Sequence, residues 1–193
     1  MPCLTCHDVT QYHGDGTEYV HRYEGPAAPD CVDCHSDVEG GADGVMQHMV
    51  HGETVACQVC HSAGAYKTCY GCHVGKDDAG LPYRKTEPTQ FQFKIGLNPQ
   101  QSEERPWEYV LLRHVPVARD TFGFYGEDLL PSFDAVPTWK YTTPHNIQRI
   151  TPQNQECNGC HGNTALFLTA EDVLPDELEA NSSVVVQEVP AAK

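Results

Sequence analysis

A chain of 193 residues is long enough to bury a core of its own, but only 39% of its residues are hydrophobic and its mean hydropathy is -0.48. Sixteen glycines and 14 prolines interrupt the pattern, so long regular helices or a broad sheet are not expected. The formal net charge of -15 argues against nucleic acid and anionic membrane surfaces as partners, and no apolar run reaches the length of a direct membrane span.

The ten cysteines form five copies of the motif Cys-x-x-Cys-His, with none left over. Two thiols three positions apart reach the two vinyl groups of one haem as thioethers, and the adjacent imidazole then lies beneath the iron as its proximal ligand. The sequence therefore predicts five haem c groups. The predicted attachment cysteines are Cys3, Cys6, Cys31, Cys34, Cys57, Cys60, Cys69, Cys72, Cys157 and Cys160, and the predicted proximal ligands are His7, His35, His61, His73 and His161.

Two other uses of these cysteines fit the pattern less well. A zinc site pairs two Cys-x-x-Cys units but does not require a histidine after each of them. A disulfide scaffold needs no histidine at all. Haem attachment is the interpretation that uses every residue of the motif.

Through these motifs the chain resembles multihaem c-type cytochromes over residues 3–161. The resemblance implies maturation outside the cytoplasm, a fold shaped around the haems, and electron transfer between closely spaced haem edges. We therefore expect an exported protein, periplasmic or extracellular. Met1 lies two residues before Cys3, which leaves no room for a signal peptide, so a mature, truncated or mis-started chain is expected.

Six histidines remain as candidates for the five distal iron positions, namely His13, His21, His48, His51, His114 and His145. This near-match favours bis-histidine ligation and low-spin haems of low reduction potential, because only three methionines are present. The sixth histidine would be spare, would ligate a haem in a neighbouring subunit, or would conceal an open iron.

The pair His48 and His51 is the most informative of these candidates. A spacing of three residues on a helical turn directs both imidazoles from one face, just before Cys57. The pair resembles the His-x-x-His that precedes an attachment motif in small tetrahaem cytochromes of the c3 type, although the gap to the first cysteine differs by one residue. That resemblance implies that the two histidines ligate different irons.

We expect four regions within one haem-centred unit. Residues 1–74 would form a four-haem wire, with the third and fourth haems as neighbours, and residues 75–156 an aromatic-rich segment that contributes distal ligands. Residues 157–175 would carry the fifth haem, and residues 176–193 would form an extended acidic tail. The expected fold is mostly irregular coil with short helices and one small β-hairpin, organised around five covalently bound haems.

The aromatic-rich segment contains the expected hairpin. Thr89–Leu97 alternates Phe91, Phe93 and Ile95 on one face, and Trp107–Arg113 is rich in aromatic and branched residues. His114 follows the second strand directly, so a rigid element would deliver a distal ligand.

Downstream of the fifth attachment motif, a short helix is expected over Asn163–Thr169. The acidic segment that follows contains few hydrophobic residues apart from Val184, Val185 and Val186. Such a segment is ordinarily disordered unless something holds it down.

Electron transfer through five bis-histidine haems is the favoured function, without substrate chemistry of its own. Its partners would be redox proteins, an extracellular electron acceptor or a larger redox complex. A variant is a protomer of an extracellular cytochrome filament, a homopolymer in which the acidic tail would lie across the next copy.

An enzyme is the alternative. Trp139–Gly162 resembles the C-terminal parts of multihaem proteins of the hydroxylamine-oxidoreductase and tetrathionate-reductase kind. That resemblance implies a module of a reductase or oxidoreductase of small nitrogen or sulfur compounds. The chain has no Cys-x-x-Cys-Lys motif, and the sequence identifies no catalytic residue.

Overall fold

The computed structural model describes residues 5–20, 29–62, 75–76, 79, 82–83, 93–103, 105–115, 123, 125–132 and 135–193, with backbone alone at 12–13, 75–76 and 82–83. The chain divides into two compact units, Met1–Gly52 and Glu53–Lys193. The boundary between them falls inside the predicted four-haem region, 1–74.

The first unit consists of short helical turns joined by loops. Its α-helices are α1, Val9–His13, and α2, Met46–His51, and its 3-10 turns are Cys31–Asp33 and Glu39–Gly41. Helix α1 is capped by Asp8, whose carboxylate accepts hydrogen bonds from the backbone N–H groups of Thr10 and Gln11. Of the side chains described in this unit none is buried, and Gly41 is the one buried residue there.

The second unit contains the regular β-structure of the described chain. Strands β1, Gly75–Lys76, and β2, Pro82–Tyr83, form one antiparallel pair. Strands β3, Phe93–Leu97, β4, Tyr109–His114, and β5, Trp139–Tyr141, form an antiparallel sheet in the order β3-β4-β5. The helical elements are α3, Cys57–His61, α4, Pro152–Gln155, and the 3-10 turns Cys157–Gly159, Thr164–Leu166, Ala170–Asp172 and Pro175–Glu177.

The expected antiparallel pair is present as β3 and β4, with Ile95 opposite Leu111. Residues 89–92, including Phe91, lie outside the described residues. The sequence did not predict β5, which pairs Trp139 with His114. His114 is consequently the last residue of a central strand, whereas the sequence predicted that it follows the second strand of a hairpin.

Both faces of the sheet are covered. Val110, Leu111 and Leu112 of β4 are all buried, so this central strand contacts a packed layer on each side. Lys94 of β3 is buried too, although strict alternation placed it on the face opposite Ile95. The sequence predicted one apolar face, on which Ile95 lies. The structure shows that the opposite face, on which Lys94 lies, is buried as well.

The buried ammonium of Lys94 is paired by residues from the covering layer. Its Nζ donates to the Ala165 carbonyl at 2.9 Å and to Asp172 Oδ1 at 2.8 Å. Burial alone would raise the pKa of Asp172, but hydrogen bonds from Lys94 and Thr169 more than offset it, so that pKa is lowered. A buried lysine is tolerated because its charge is met by a carboxylate and a carbonyl.

The C-terminal part of the chain continues the sheet beyond β3. Leu168 N donates to Ile95 O and Val186 N donates to Leu168 O, both at 2.8 Å, while Leu97 N donates to Val184 O at 2.9 Å. Leu168 and Val184 are fully buried. The acidic segment 176–193 thus lies against its own unit.

The short helix expected over Asn163–Thr169 is replaced by a single 3-10 turn, Thr164–Leu166. The chain is extended at Phe167, which forms a parallel bridge with Ile95. The backbone N–H and C=O groups of Leu168, which a longer helix would pair internally, instead form hydrogen bonds with Ile95 of the sheet and with Val186. No helix in the described ranges is long and apolar enough to cross a membrane.

Because Leu168 is fully buried and Leu174 is 53% exposed, the same truncation has different costs at the two sites. We expect Leu168→Ala to lower the free energy of unfolding by about 2–5 kcal/mol, through lost apolar burial and the cavity left behind. Leu174→Ala is the matched control and should change it by less than about 0.5 kcal/mol. Denaturant unfolding of the purified proteins measures both, and equal effects would contradict the burial of Leu168.

Candidate haem-attachment sites and histidine ligands

Three complete Cys-x-x-Cys-His motifs lie in the described part of the chain, and each forms a helical turn. The third motif is helix α3, Cys57–His61. The second and fifth begin as 3-10 turns and are closed by backbone bonds from His35 N to Cys31 O, 3.0 Å, and from His161 N to Cys157 O, 2.9 Å. Positions i, i+3 and i+4 share one side of such a turn, so each motif directs two thiols and an imidazole from the same side.

The cysteines of these motifs range from exposed to half-buried. The described cysteines are thiols rather than disulfides, and none is buried: Cys6, Cys31, Cys34, Cys57, Cys60, Cys157 and Cys160. Among the residues whose positions are described, no three or more His, Cys, Asp or Glu side chains gather into a group that would hold a metal ion. Exposed or half-buried thiols suit attachment of a group from outside.

Some predicted site residues lie outside the described residues. They are Cys3 of the first motif, the whole fourth motif with Cys69, Cys72 and His73, and the distal candidate His21. The neighbouring arrangement predicted for the third and fourth haems therefore stays a prediction.

The predicted proximal histidines of the first, third and fifth motifs share one hydrogen-bonding arrangement. His61 Nδ1 lies 3.0 Å from the Gln148 carbonyl oxygen, and His161 Nδ1 lies 3.0 Å from the Ala191 carbonyl oxygen. In the first motif, His7 Nδ1 lies 3.0 Å from the side-chain oxygen of Gln11. A carbonyl oxygen can only accept, so Nδ1 carries the proton and Nε2 carries the lone pair, as in metal-ligating histidines.

A strap formed by residues 147–153 holds the third motif. Gln148 N donates to His61 O at 2.7 Å, and Gln153 Nε2 donates to Ser62 O at 3.1 Å. The hydroxyl of Thr151 donates to the carbonyl of Cys60. The strap therefore orients the His61 ring by bonding its backbone as well as its Nδ1.

The last residues of the chain hold the fifth motif in a similar way. Gly162 N donates to Pro190 O at 2.7 Å, and the Asn158 side chain exchanges two hydrogen bonds, 2.8 and 2.9 Å, with the backbone of Lys193. Gly162 has a φ of +73°, and a Cβ there would lie 3.0 Å from the Ala192 side chain. Residues 190–193 thus cross the turn that carries His161.

The third and fifth motifs are neighbours, although a long sequence separates them. Helix α4 contacts both α3 and the turn Cys157–Gly159. Burial raises the pKa of the Cys60 thiol to about 11, and the nearby Cys160 contributes to the increase. The sequence interpretation had placed the fifth site in a region of its own, and no local signal predicted this contact.

Among the distal candidates, His48 and His51 lie on α2, three residues apart as the sequence interpretation required. Asp43 Oδ2 accepts a hydrogen bond from His48 Nδ1 at 2.7 Å. The backbone N–H of Val45 and then His48 keep the pKa of Asp43 below its ordinary value. The carboxylate therefore places the His48 proton on Nδ1 and the lone pair on Nε2.

The turn before α2 brings Asp43 into reach. Gly41, at a φ of +72°, packs against Met49 so closely that a Cβ would lie 2.8 Å from the Met49 Cα. Only glycine suits both the backbone angle and this approach. The glycine thus holds the loop that carries Asp43 against the helix that carries His48.

The other distal candidates lie apart from α2 in sequence. The backbone of His13 ends α1, and His145 is exposed in the loop after β5. His114 ends β4, where its Nε2 lies 2.9 Å from Glu177 Oε2. His114 is thus held through the opposite ring nitrogen from His48.

Sequence reasoning missed the groups that orient these histidines. Gln148 and Ala191 act through backbone carbonyls, which no residue type marks in a sequence. Asp43 could have been found, because it is an acidic residue five positions before a candidate ligand. Thr151-Pro152 is also a recognisable start of a helix, although its contact with the third motif is not encoded locally.

The chain matches no known protein family, no curated protein and no solved structure to which it was compared.

Proposed function

We propose that this chain is a pentahaem c-type cytochrome that transfers electrons through bis-histidine haems in the periplasm or outside the cell. The observation that carries the proposal is that all ten cysteines fall into five Cys-x-x-Cys-His motifs. The described motifs support it, because each complete one is a helical turn whose cysteines are exposed or half-buried.

The histidine geometry suits haem ligation. When bound, each haem supplies one-electron exchange between ferric and ferrous iron. The chain would hold it by two thioether bonds and by Nε2 of the motif histidine. The hydrogen bonds from Nδ1 of His61 and His161 to backbone carbonyls select the tautomer that this requires and stop the rings from rotating.

The apolar surface of the first unit also supports bound haems. Met46, Met49 and Val50 of α2 are 70%, 65% and 57% exposed, and no side chain described in this unit is buried. These residues flank the candidate ligands His48 and His51. Exposed apolar patches commonly mark a binding surface, and large planar haems attached in this unit would cover them.

The third and fifth attachment turns, which contact the same helix, offer a direct route between two haems. Haems attached at the third and fifth motifs would therefore be held by two turns that meet at α4. Electrons would then reach the fifth haem without having to follow the order of the motifs in sequence.

The charge of the chain favours particular partners. Its formal charge is -15, and ionised haem propionates would make it more negative. Basic redox proteins or cationic mineral surfaces would therefore be attracted to it, more strongly at low ionic strength.

We expect a pyridine haemochrome assay of the native protein to give five haems per chain, and carbon monoxide to leave the spectrum of the reduced protein unchanged. The first result follows from the five motifs and the second from saturated irons. As a control, the double variant Cys157→Ser/Cys160→Ser should contain four haems. Fewer haems in the native protein would contradict the proposal, and carbon monoxide binding by about one fifth of the haem would point to a catalytic or sensing iron.

Removing Pro190–Lys193 should raise the reduction potential of one haem among the five. The deletion removes the carbonyl that accepts the His161 Nδ1 proton, 3.0 Å away. A weaker imidazole donor stabilises ferric iron less, and that haem is then easier to reduce. Potentiometric titration followed by visible spectroscopy measures the change.

Deletion of Lys193 alone is the matched control, because it leaves the Ala191 carbonyl in the chain. We expect its titration to resemble that of the unmodified protein. If the four-residue deletion also leaves every potential unchanged, the Ala191 contact does not tune the fifth haem.

A further inference from the structure

We infer that His114 is a structural histidine rather than an iron ligand, and that the remaining five distal candidates match the five irons. The inference rests on the proposed function and deepens it. The sequence offers six candidate histidines for five distal iron positions, and the inference identifies the one that is not a ligand.

The ring nitrogen by which His114 is held differs from that of His7, His48, His61 and His161, which are bonded through Nδ1. His114 Nε2 lies 2.9 Å from Oε2 and 3.2 Å from Oε1 of Glu177. A carboxylate only accepts hydrogen bonds, so Nε2 carries a proton and its lone pair cannot bind iron. In His48 the carboxylate of Asp43 contacts Nδ1 instead, at 2.7 Å, which is the arrangement of a metal-ligating histidine.

Glu177 is itself held by a polar network. Its Oε2 accepts a hydrogen bond from Thr138 Oγ1, which in turn accepts one from Asn181 Nδ2, both at 2.8 Å. Asn181 is fully buried, and its Oδ1 accepts the backbone N–H of Trp139 at 2.9 Å. Turning His114 away toward an iron would leave a partly buried carboxylate with one partner fewer, which is costly in such networks.

The ring of His114 is also packed. Trp139 is its partner across the β4–β5 register, and the two ring centroids are 5.4 Å apart with an interplanar angle of 38°. The His114 side chain is 25% exposed and that of Glu177 15%. The ring therefore fills space between the sheet and the turn Pro175–Glu177, and it ties the C-terminal segment to β4.

The assignment decides between the uses left open for the sixth histidine. A structural His114 leaves one distal candidate for each iron, so no iron needs to remain open for lack of a ligand in this chain. It also leaves no surplus histidine to reach a haem in another copy. The chain then carries its own complete set of ligands.

The test compares His114→Gln with His48→Gln, using the electronic absorption and low-temperature EPR spectra of the native holoproteins. We expect His114→Gln to retain five low-spin haems that do not bind carbon monoxide, but to unfold at lower denaturant concentration. His48→Gln should convert about one fifth of the haem to a high-spin, carbon monoxide-binding form. High-spin haem in His114→Gln would overturn the inference.

A second pair of variants covers the case in which His114→Gln does not fold. Glu177→Ala keeps the imidazole and removes its partner, and we expect five low-spin haems with a lowered unfolding midpoint. Where the single and double variants all fold, a structural pair should show coupled losses, with the double variant less destabilised than the sum of the two. An unfolding midpoint unchanged in Glu177→Ala would contradict the structural role.

The haem count keeps this inference distinct from the proposed function. Five haems per chain in the unmodified protein support the cytochrome assignment whatever the variants show. Fewer than five would contradict that assignment before any distal ligand is considered. Five haems together with high-spin iron in His114→Gln would reject only the structural role of His114.

Discussion

The second unit depends on the backbone hydrogen bonds by which the C-terminal segment extends the sheet at β3. Leu168 and Val184 are bonded to this edge and fully buried, and they fix the course of the chain around them. Before Val184 the segment supplies Glu177 to His114, and after it the segment supplies the Ala191 carbonyl to His161. Packing of the apolar core and orientation of a candidate haem ligand are therefore parts of one structure, so loosening the segment should disturb both.

The histidines of this chain differ in which ring nitrogen, Nδ1 or Nε2, is bonded to an acceptor. A carbonyl or carboxylate at Nδ1 leaves the lone pair on Nε2, as at His61, His161 and His48, which is the arrangement that the proposed ligation requires. A carboxylate at Nε2 makes His114 part of a polar network instead. The distinction lies in the tertiary structure, because an acceptor can approach either nitrogen without any change in the local sequence.

The sequence predicted what is local and missed what is distant. The spacing of His48 and His51 was sufficient to predict a helical turn, and alternating apolar residues were sufficient to predict the β3–β4 pair. Strand β5, the burial of Lys94 and the contact between the third and fifth motifs require segments far apart in sequence to meet. Backbone acceptors such as Gln148 O are the hardest to foresee, since every residue has a carbonyl and only the fold selects one.

Two features of the sequence had suggested a filament, namely an acidic tail that could lie across the next copy and a sixth candidate histidine for five distal positions. The tail has an internal cause for its order, since Val184, Val185 and Val186 are buried against their own unit. The surplus histidine has an internal partner in Glu177. Neither feature now requires a second copy of the chain, so an argument for polymerisation would have to begin from a different surface. The exposed apolar side chains of α2 do not supply one under the proposed function, because haems held near His48 and His51 would cover them.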